Sequence, residues 1–158
     1  MSDLSHVSVA GEARMVDVSG KEISARVARA SGAIRMQHST LDAIRANNLA
    51  KGDVLSVARI AGILAAKKTA ELIPLCHPLP ITDIQIEFEL DSALPGVRVE
   101  ATVRASAKTG AEMEAITAVS VTLITVYDMA KAVDRGMVIT DISLQEKEGG
   151  KTGVWRRG

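Results

Sequence analysis

The segment from Lys108 to Asp134, KTGAEMEAITAVSVTLITVYDMAKAVD, constrains this chain more than any other. No charge stands between Glu114 and Asp128, while Met113, Ile116, Val119, Leu123, Val126 and Ala130 recur at helical spacing. That pattern predicts one long helix. A helix without charge over such a length is buried almost all round, so the rest of the chain must wrap it. Thr109, with Glu112 three positions on, matches the reciprocal capping pattern and predicts where the helix starts. Ionisable groups stand at both ends: Glu112 and Glu114 at the start, Asp128 and Lys131 near the finish. Glu114 and Asp128 are 14 positions apart. About 21 Å therefore separates them along the axis, with an angular offset of about 40°. They share a face but do not reach one small molecule together. Two copies running antiparallel across a twofold axis would bring one end of each beside the other end of its mate.

What wraps the helix must be aliphatic, because Phe88, Tyr127 and Trp155 are the only aromatic residues. A length of 158 residues suits one domain, 1–158, with a real core. The formal net charge is zero, which with the scarcity of aromatics speaks against a nucleic-acid or membrane-surface binder. Cys76 stands alone, so no intrachain disulfide forms and nothing points to an oxidising compartment. The opening MSDLSHVSVAGEARM has no apolar run of the secretory kind. The uncharged middle of the long helix is too short and too rich in Thr and Ser for a membrane span. The expected location is the cytoplasm.

In chain order, residues 1–12 read as a mobile arm and Ala13 to Val18 as a short strand. From Glu22 the pattern alternates, with Ile23, Ala25 and Val27 on the apolar face, and fails at Arg29. A half-buried strand that ends or bulges near Arg29, before Gly32, follows. Ser39 reads as the cap of a short helix over Thr40 to Asn47. Asp53 caps a second helix, Val54 to about Leu72, with Val57, Ile60, Ala61 and Leu64 as its core stripe. Pro74, Pro78 and Pro80 then force extended geometry, making Glu71 to Ile81 a stiff loop. Ile84, Ile86, Phe88 and Leu90, then Val97, Val99, Ala101 and Val103 after the Pro95-Gly96 turn, alternate with polar residues as an antiparallel hairpin. A last strand covers Met137 to Leu144, and the Gly- and Lys-rich tail from about 146 to 158 reads as mobile. The main order is strand, helix, strand, strand, helix, strand. This is an α+β, ferredoxin-like split βαβ arrangement, an antiparallel sheet with helices packed on one face.

Several residues could carry chemistry, and each has a plainer reading. Cys76 and His77 lie between prolines, where a rigid loop suits ligand recognition; equally, Cys76 is a small buried hydrophobe. No spaced Cys/His set of the zinc type exists, so no metal site is expected. Asp128 and Lys131 form either a weak surface pair on a helix or a semi-buried acid–base pair with displaced proton affinities. Glu114 is a better site candidate than Glu112, which the cap accounts for. Lys51, just before the Asp53 cap, suits a phosphate at a helix start; a solvated lysine is the plainer reading. GGKTG at 149–153 is not a phosphate-binding loop, because Gln145 stands where the first glycine is required. KTG at 108–110 fails likewise at Ala107. Lys147 and Lys151 on the glycine-rich tail could instead order over an anion. Together these features predict a phosphorylated small molecule and proton transfer, without naming the molecule.

The blocks IPLCHPLP at 73–80, KTGAEMEAITA at 108–118, VYDMAKAVD at 126–134 and GGK at 149–151 carry a resemblance. So do GEARMVDVSGKEISARVARASG and KGDVLSVARIAGILAAKKT. The chain resembles the cyclic pyranopterin monophosphate synthase family, molybdenum cofactor biosynthesis protein C, over nearly its whole length. The resemblance implies a homohexamer, a trimer of dimers with active sites at the dimer interface. It implies conversion of 3′,8-cyclo-7,8-dihydroguanosine 5′-triphosphate to cyclic pyranopterin monophosphate with release of diphosphate, a lyase-type rearrangement. Asp128 and Lys131 would be the acid–base residues, and Lys51 would bear on the phosphates or the reacting centre. Leu75, Cys76, His77, Met113, Glu114 and Glu112 would hold the substrate, with Arg26, Lys147 and Lys151 as phosphate partners. No resident cofactor is implied; Mg2+ would enter with the triphosphate. A non-catalytic module that binds a phosphorylated ligand, or a structural shell protein, are the competing readings.

Overall fold

The computed structural model describes Val7 and residues 10–158. The elements are β1 (Ser24–Arg35), α1 (His38–Arg45), α2 (Val54–Lys67), α3 (Thr69–Leu72), β2 (Ile81–Asp91), β3 (Gly96–Ala107), α4 (Glu112–Ala130), β4 (Val138–Glu148) and β5 (Trp155–Arg156). The strands form one antiparallel sheet in the order β2-β3-β1-β4-β5. The first four strands have the ferredoxin-like order, and β5 extends the edge.

The predicted hairpin is present as β2 and β3, with Ile86 opposite Ala101, Phe88 opposite Val99 and Leu90 opposite Val97. Its solvated face pairs charges as the alternation implied: Arg98 meets Asp91 at 2.8 Å and Arg104 meets Asp83 at 3.8 Å. The long helix, α4, lies over the sheet with α2 beside it. Ala115, Ala118, Val119, Leu123, Val126 and Ala130 are buried there, joined to Ala28, Ala30 and Ile34 of β1 and Val97, Val99 and Val103 of β3. By length and composition α4 would suffice to cross a membrane, contrary to the expectation from its Thr and Ser content; the sheet and α2 cover it instead.

Several expectations are corrected. β1 does not end before Gly32, but it is irregular there as the alternative reading expected: its register against β4 shifts between Arg29 and Ala30 and between Ser31 and Ala33. It pairs with β3 in unbroken register from Ser24–Ala107 to Arg35–Gly96. Arg29 is accommodated because its guanidinium meets Glu100 at 3.3 Å and Glu146 at 3.5 Å. The core face is also the other one: Ala28, Ala30, Gly32 and Ile34 are buried, whereas Ile23 and Ala25 are exposed. The expected strand at Ala13 to Val18 is reduced to a single bridge between Val7 and Ala13; most of the arm at 1–12 lies outside the described residues.

The second helix breaks at Lys68, where the Thr69 hydroxyl donates to the carbonyls of Ala65 (3.2 Å) and Ala66 (2.9 Å). Asp53 does cap α2, accepting from the Ser56 amide at 3.0 Å. The expected stripe of α2 faces outward, with Val57, Ile60 and Leu64 exposed; Val54, Ala58, Gly62, Ala65 and Ala66 face inward. α1 begins at His38 rather than Thr40, with Gln37 as its cap residue. The buried carboxylate of Asp134 accepts from the Gln37 amide (2.9 Å) and the Thr40 hydroxyl (3.2 Å), doing from a distance what Ser39 was expected to do. α4 spans Glu112–Ala130, not Lys108 to Asp134, and Thr109 does not cap it. The tail is not free: β4 continues to Glu148, and Trp155–Arg156 return as β5 beside Lys147 and Glu146.

Candidate active site

At the N-terminal end of α4 the strands β1 and β4 and the glycine loop after β4 enclose a cavity of about 740 Å³. Lys21, Arg26, Lys108, Lys147 and Lys151 line it, against only Glu22 and Glu112 of opposite sign. Arg26 is aimed by its backbone partners: Nε donates to the Ala107 carbonyl and Nη2 to the Lys108 carbonyl, both at 3.2 Å. Gly149 and Gly150 close over it at φ +105° and +75°. A Cβ at Gly150 would overlap the Arg26 guanidinium, and one at Gly149 would overlap the Ala25 carbonyl. The glycine pair is thus a packing requirement against Arg26 as well as a turn.

Within the cavity, Lys147 is neutralised by Glu112 at 3.1 Å, and Lys108 donates to the Ser19 carbonyl at 2.8 Å. Lys21 and Lys151 form no ion pair among the described residues. Surplus positive charge around a roomy cavity attracts a polyanion. Sequence reading missed Lys21 and Lys108. Lys108 heads the KTGAEMEAITA block, so its position before the helix start was a usable signal; Lys21, in a polar stretch, gave none.

Glu114 lies one residue past Met113 and is 2% exposed. The Cys76 thiol donates to its Oε1 at 3.7 Å, while Oε2 is buried with no hydrogen-bond partner. Burial raises the Glu114 pKa above the ordinary carboxylate range. Burial, and then the Glu114 charge, push the Cys76 thiol up to about 11. The proline-pinned loop thus brings Cys76 to Glu114 across 38 positions of sequence. Leu75 and His77 flank it, half-buried, and Met113 is exposed at the helix start.

A second centre lies at the other end of α4. Lys131 Nζ meets Asp128 Oδ1 at 2.7 Å; Lys51 Nζ meets Oδ2 at 2.8 Å and the Asp128 carbonyl at 3.0 Å. Two lysines beside the free carbonyls of a helix end also suit its dipole. Asp128 is not semi-buried as expected: its side chain is 51% exposed, because the last turn of α4 emerges from the core. Hydrogen bonds from Lys131 and then Lys51 hold its carboxyl down to about 2, and Asp128 in turn raises Lys131. These shifts move both groups away from neutrality. Lys51 is committed to Asp128, not to the amides at the start of α2.

One protomer therefore brings Arg26, Glu112, Lys147 and Lys151 together, and Cys76 with Glu114. It keeps Lys51, Asp128 and Lys131 about 21 Å further along the helix. The fold and this layout define a ferredoxin-like α+β protein with two charged centres on one buried helix. The chain belongs to the MoaC family, whose model matches residues 15–150. It is 60% identical over 153 residues to a Dinoroseobacter shibae (strain DSM 16493 / NCIMB 14021 / DFL 12) protein named cyclic pyranopterin monophosphate synthase, with 97% of each chain covered.

Proposed function

We propose that this chain is a cyclic pyranopterin monophosphate synthase, a soluble enzyme of molybdenum cofactor biosynthesis. It converts 3′,8-cyclo-7,8-dihydroguanosine 5′-triphosphate to cyclic pyranopterin monophosphate and diphosphate. The observation that carries the reading is the cavity at the start of α4, lined by five cationic side chains against two acidic ones. A triphosphate suits it.

The chemistry follows from the charges. A hydroxyl oxygen of the sugar-derived part attacks the α-phosphorus, the bond to the bridging oxygen breaks, and diphosphate leaves. Arg26, Lys147 and Lys151 stabilise the leaving charge. The ring rearrangement moves protons in sequence, which is the task of Asp128 and Lys131, with Lys51 holding the carboxylate. Their pKa values in the open protomer are unsuited to that task. Covering them with a neighbouring subunit, as in a hexamer built from dimers, removes water from both and draws both towards neutrality. The same contact brings them to the Glu114 end of the partner helix. No resident metal enters this reading; Mg2+ accompanies the triphosphate as part of the substrate.

The test is diphosphate release from the cyclised nucleotide by purified protein. Wild type is expected to turn over and Asp128→Ala to lose activity by at least about a thousandfold with assembly unchanged. Near-normal release by that variant would refute the assignment. Binding without release by wild type would leave the ligand-binding module instead.

A further inference from the structure

The matched family region ends at residue 150, yet the chain beyond it is folded against the site. We propose that Trp155, Arg156 and Arg157 are positioning residues that hold the Gly149–Gly153 loop so that Lys151 stays at the cationic cavity. This rests on the reading of that cavity as a phosphate site.

Gly149, Gly150 and Gly153 all have positive φ, at +105°, +75° and +64°. Gly153 closes the loop by donating to the Gly150 carbonyl at 3.3 Å. Lys151 and Thr152 form its tip and line the cavity. Glycine backbone has the most freedom to lose, so a lysine on such a loop is at the site only as often as both stems allow. The first stem is fixed by the packing of Gly149 and Gly150 on Ala25 and Arg26. The second stem has no such contact at Gly153, where a Cβ would meet open space. What fixes it is β5.

Trp155 pairs with Lys147 and Arg156 with Glu146. Arg156 Nε meets the Glu146 carboxylate at 2.9 Å. The Arg157 amide donates to the Gln145 carbonyl at 2.9 Å, and its Nε to the Leu144 carbonyl at 2.8 Å. Its guanidinium also lies 6.0 Å from the centroid of the Trp155 ring. The strand that carries Lys147 thus anchors, through β5, the far side of the loop that carries Lys151. Fixing both stems before ligand arrives removes ordering entropy from binding. The plainer role of β5 is to cover the open edge of β4. That role predicts lower stability and no change in ligand affinity.

Removal of residues 154–158 separates the two. The expected result is a KM for the triphosphate nucleotide, and an inhibition constant for inorganic diphosphate, each raised about tenfold, the size of one lost charge-assisted hydrogen bond. Lys151→Ala in the full chain is expected to give the same change. Truncation in the Lys151→Ala background is expected to add nothing, because both act through one contact. Arg157→Ala in the full chain repeats the comparison should the truncated protein melt below the assay temperature. Unchanged KM and diphosphate inhibition on truncation, or effects that multiply in the double variant, overturn the proposal. Wild-type protein that diphosphate does not inhibit overturns the phosphate reading itself, and this proposal with it.

Discussion

Among the described residues two carboxylates are buried, Glu114 and Asp134, and their surroundings differ. Asp134 accepts from the amides of Gln37 and Gly136 and from the Thr40 hydroxyl, so its burial is compensated. Glu114 has one distant thiol and an oxygen with no partner. A buried acceptor left unmatched costs about 1–3 kcal/mol. Because its folded pKa is raised, the native state binds a proton more tightly than the unfolded chain does. The burial penalty is therefore absent below the ordinary glutamate range and grows as pH rises through the raised value. Glu114→Gln is expected to raise the melting temperature at pH 8, with the gain vanishing as pH falls below 4.5; a gain that is constant with pH would contradict this. Cys76, held up to about 11, should alkylate about 100-fold more slowly at pH 8 than an ordinary cysteine, and faster in Glu114→Gln. Iodoacetamide labelling followed by mass spectrometry reads both rates.

At the scale of elements, α2 shows how an apolar helix can present two apolar faces. Periodicity marks Val57, Ile60 and Leu64, but the face that meets α4 is the small one around Ala58 and Gly62. A Cβ at Gly62 would overlap Thr122 Oγ1, meet Ile86 Cδ1 at 2.5 Å and lie 3.0 Å from the Ala118 carbonyl oxygen. Alanine is favoured over glycine in a helix by about 1 kcal/mol. Overpacking against a backbone carbonyl and a buried Thr costs about 1–3 kcal/mol, so the clash is expected to win. Gly62→Ala should lower stability by up to about 2 kcal/mol on balance, read from the urea midpoint. A stabilised variant would show that α2 and α4 can move apart freely.

Over the whole molecule, the exposed stripe Val57, Ile60 and Leu64 and the exposed Lys51–Asp128–Lys131 cluster both suit cover by a second copy. If each site draws Asp128 from one subunit and Glu114 from its mate, inactive Asp128→Ala and Glu114→Ala proteins should restore activity when co-assembled. Random pairing of dimers gives half mixed dimers with one intact site of two, so about a quarter of wild-type activity is expected. Diphosphate release by the mixture measures it. Continued inactivity of an assembled mixture would place both residues in separate roles within one subunit.

The sequence by itself determined what depends on local spacing. The uncharged run after Glu114 specified α4, strict alternation specified the β2–β3 hairpin, and Asp53 capped α2 because the Ser56 amide is only three residues away. The order of elements then restricted the sheet to one topology. Tertiary structure alone decided which of two apolar faces turned inward on β1 and α2, since period fixes a face but not its direction. It also decided that Arg29 could stay within β1, because its two carboxylate partners come from β3 and β4. Charges gather around the cavity from three separated stretches of chain, and Asp134 caps a helix 97 positions upstream of it. Contacts of that kind leave no periodic trace in a sequence. Their energy depends on burial and distance, and both exist only once the sheet has brought the pieces together.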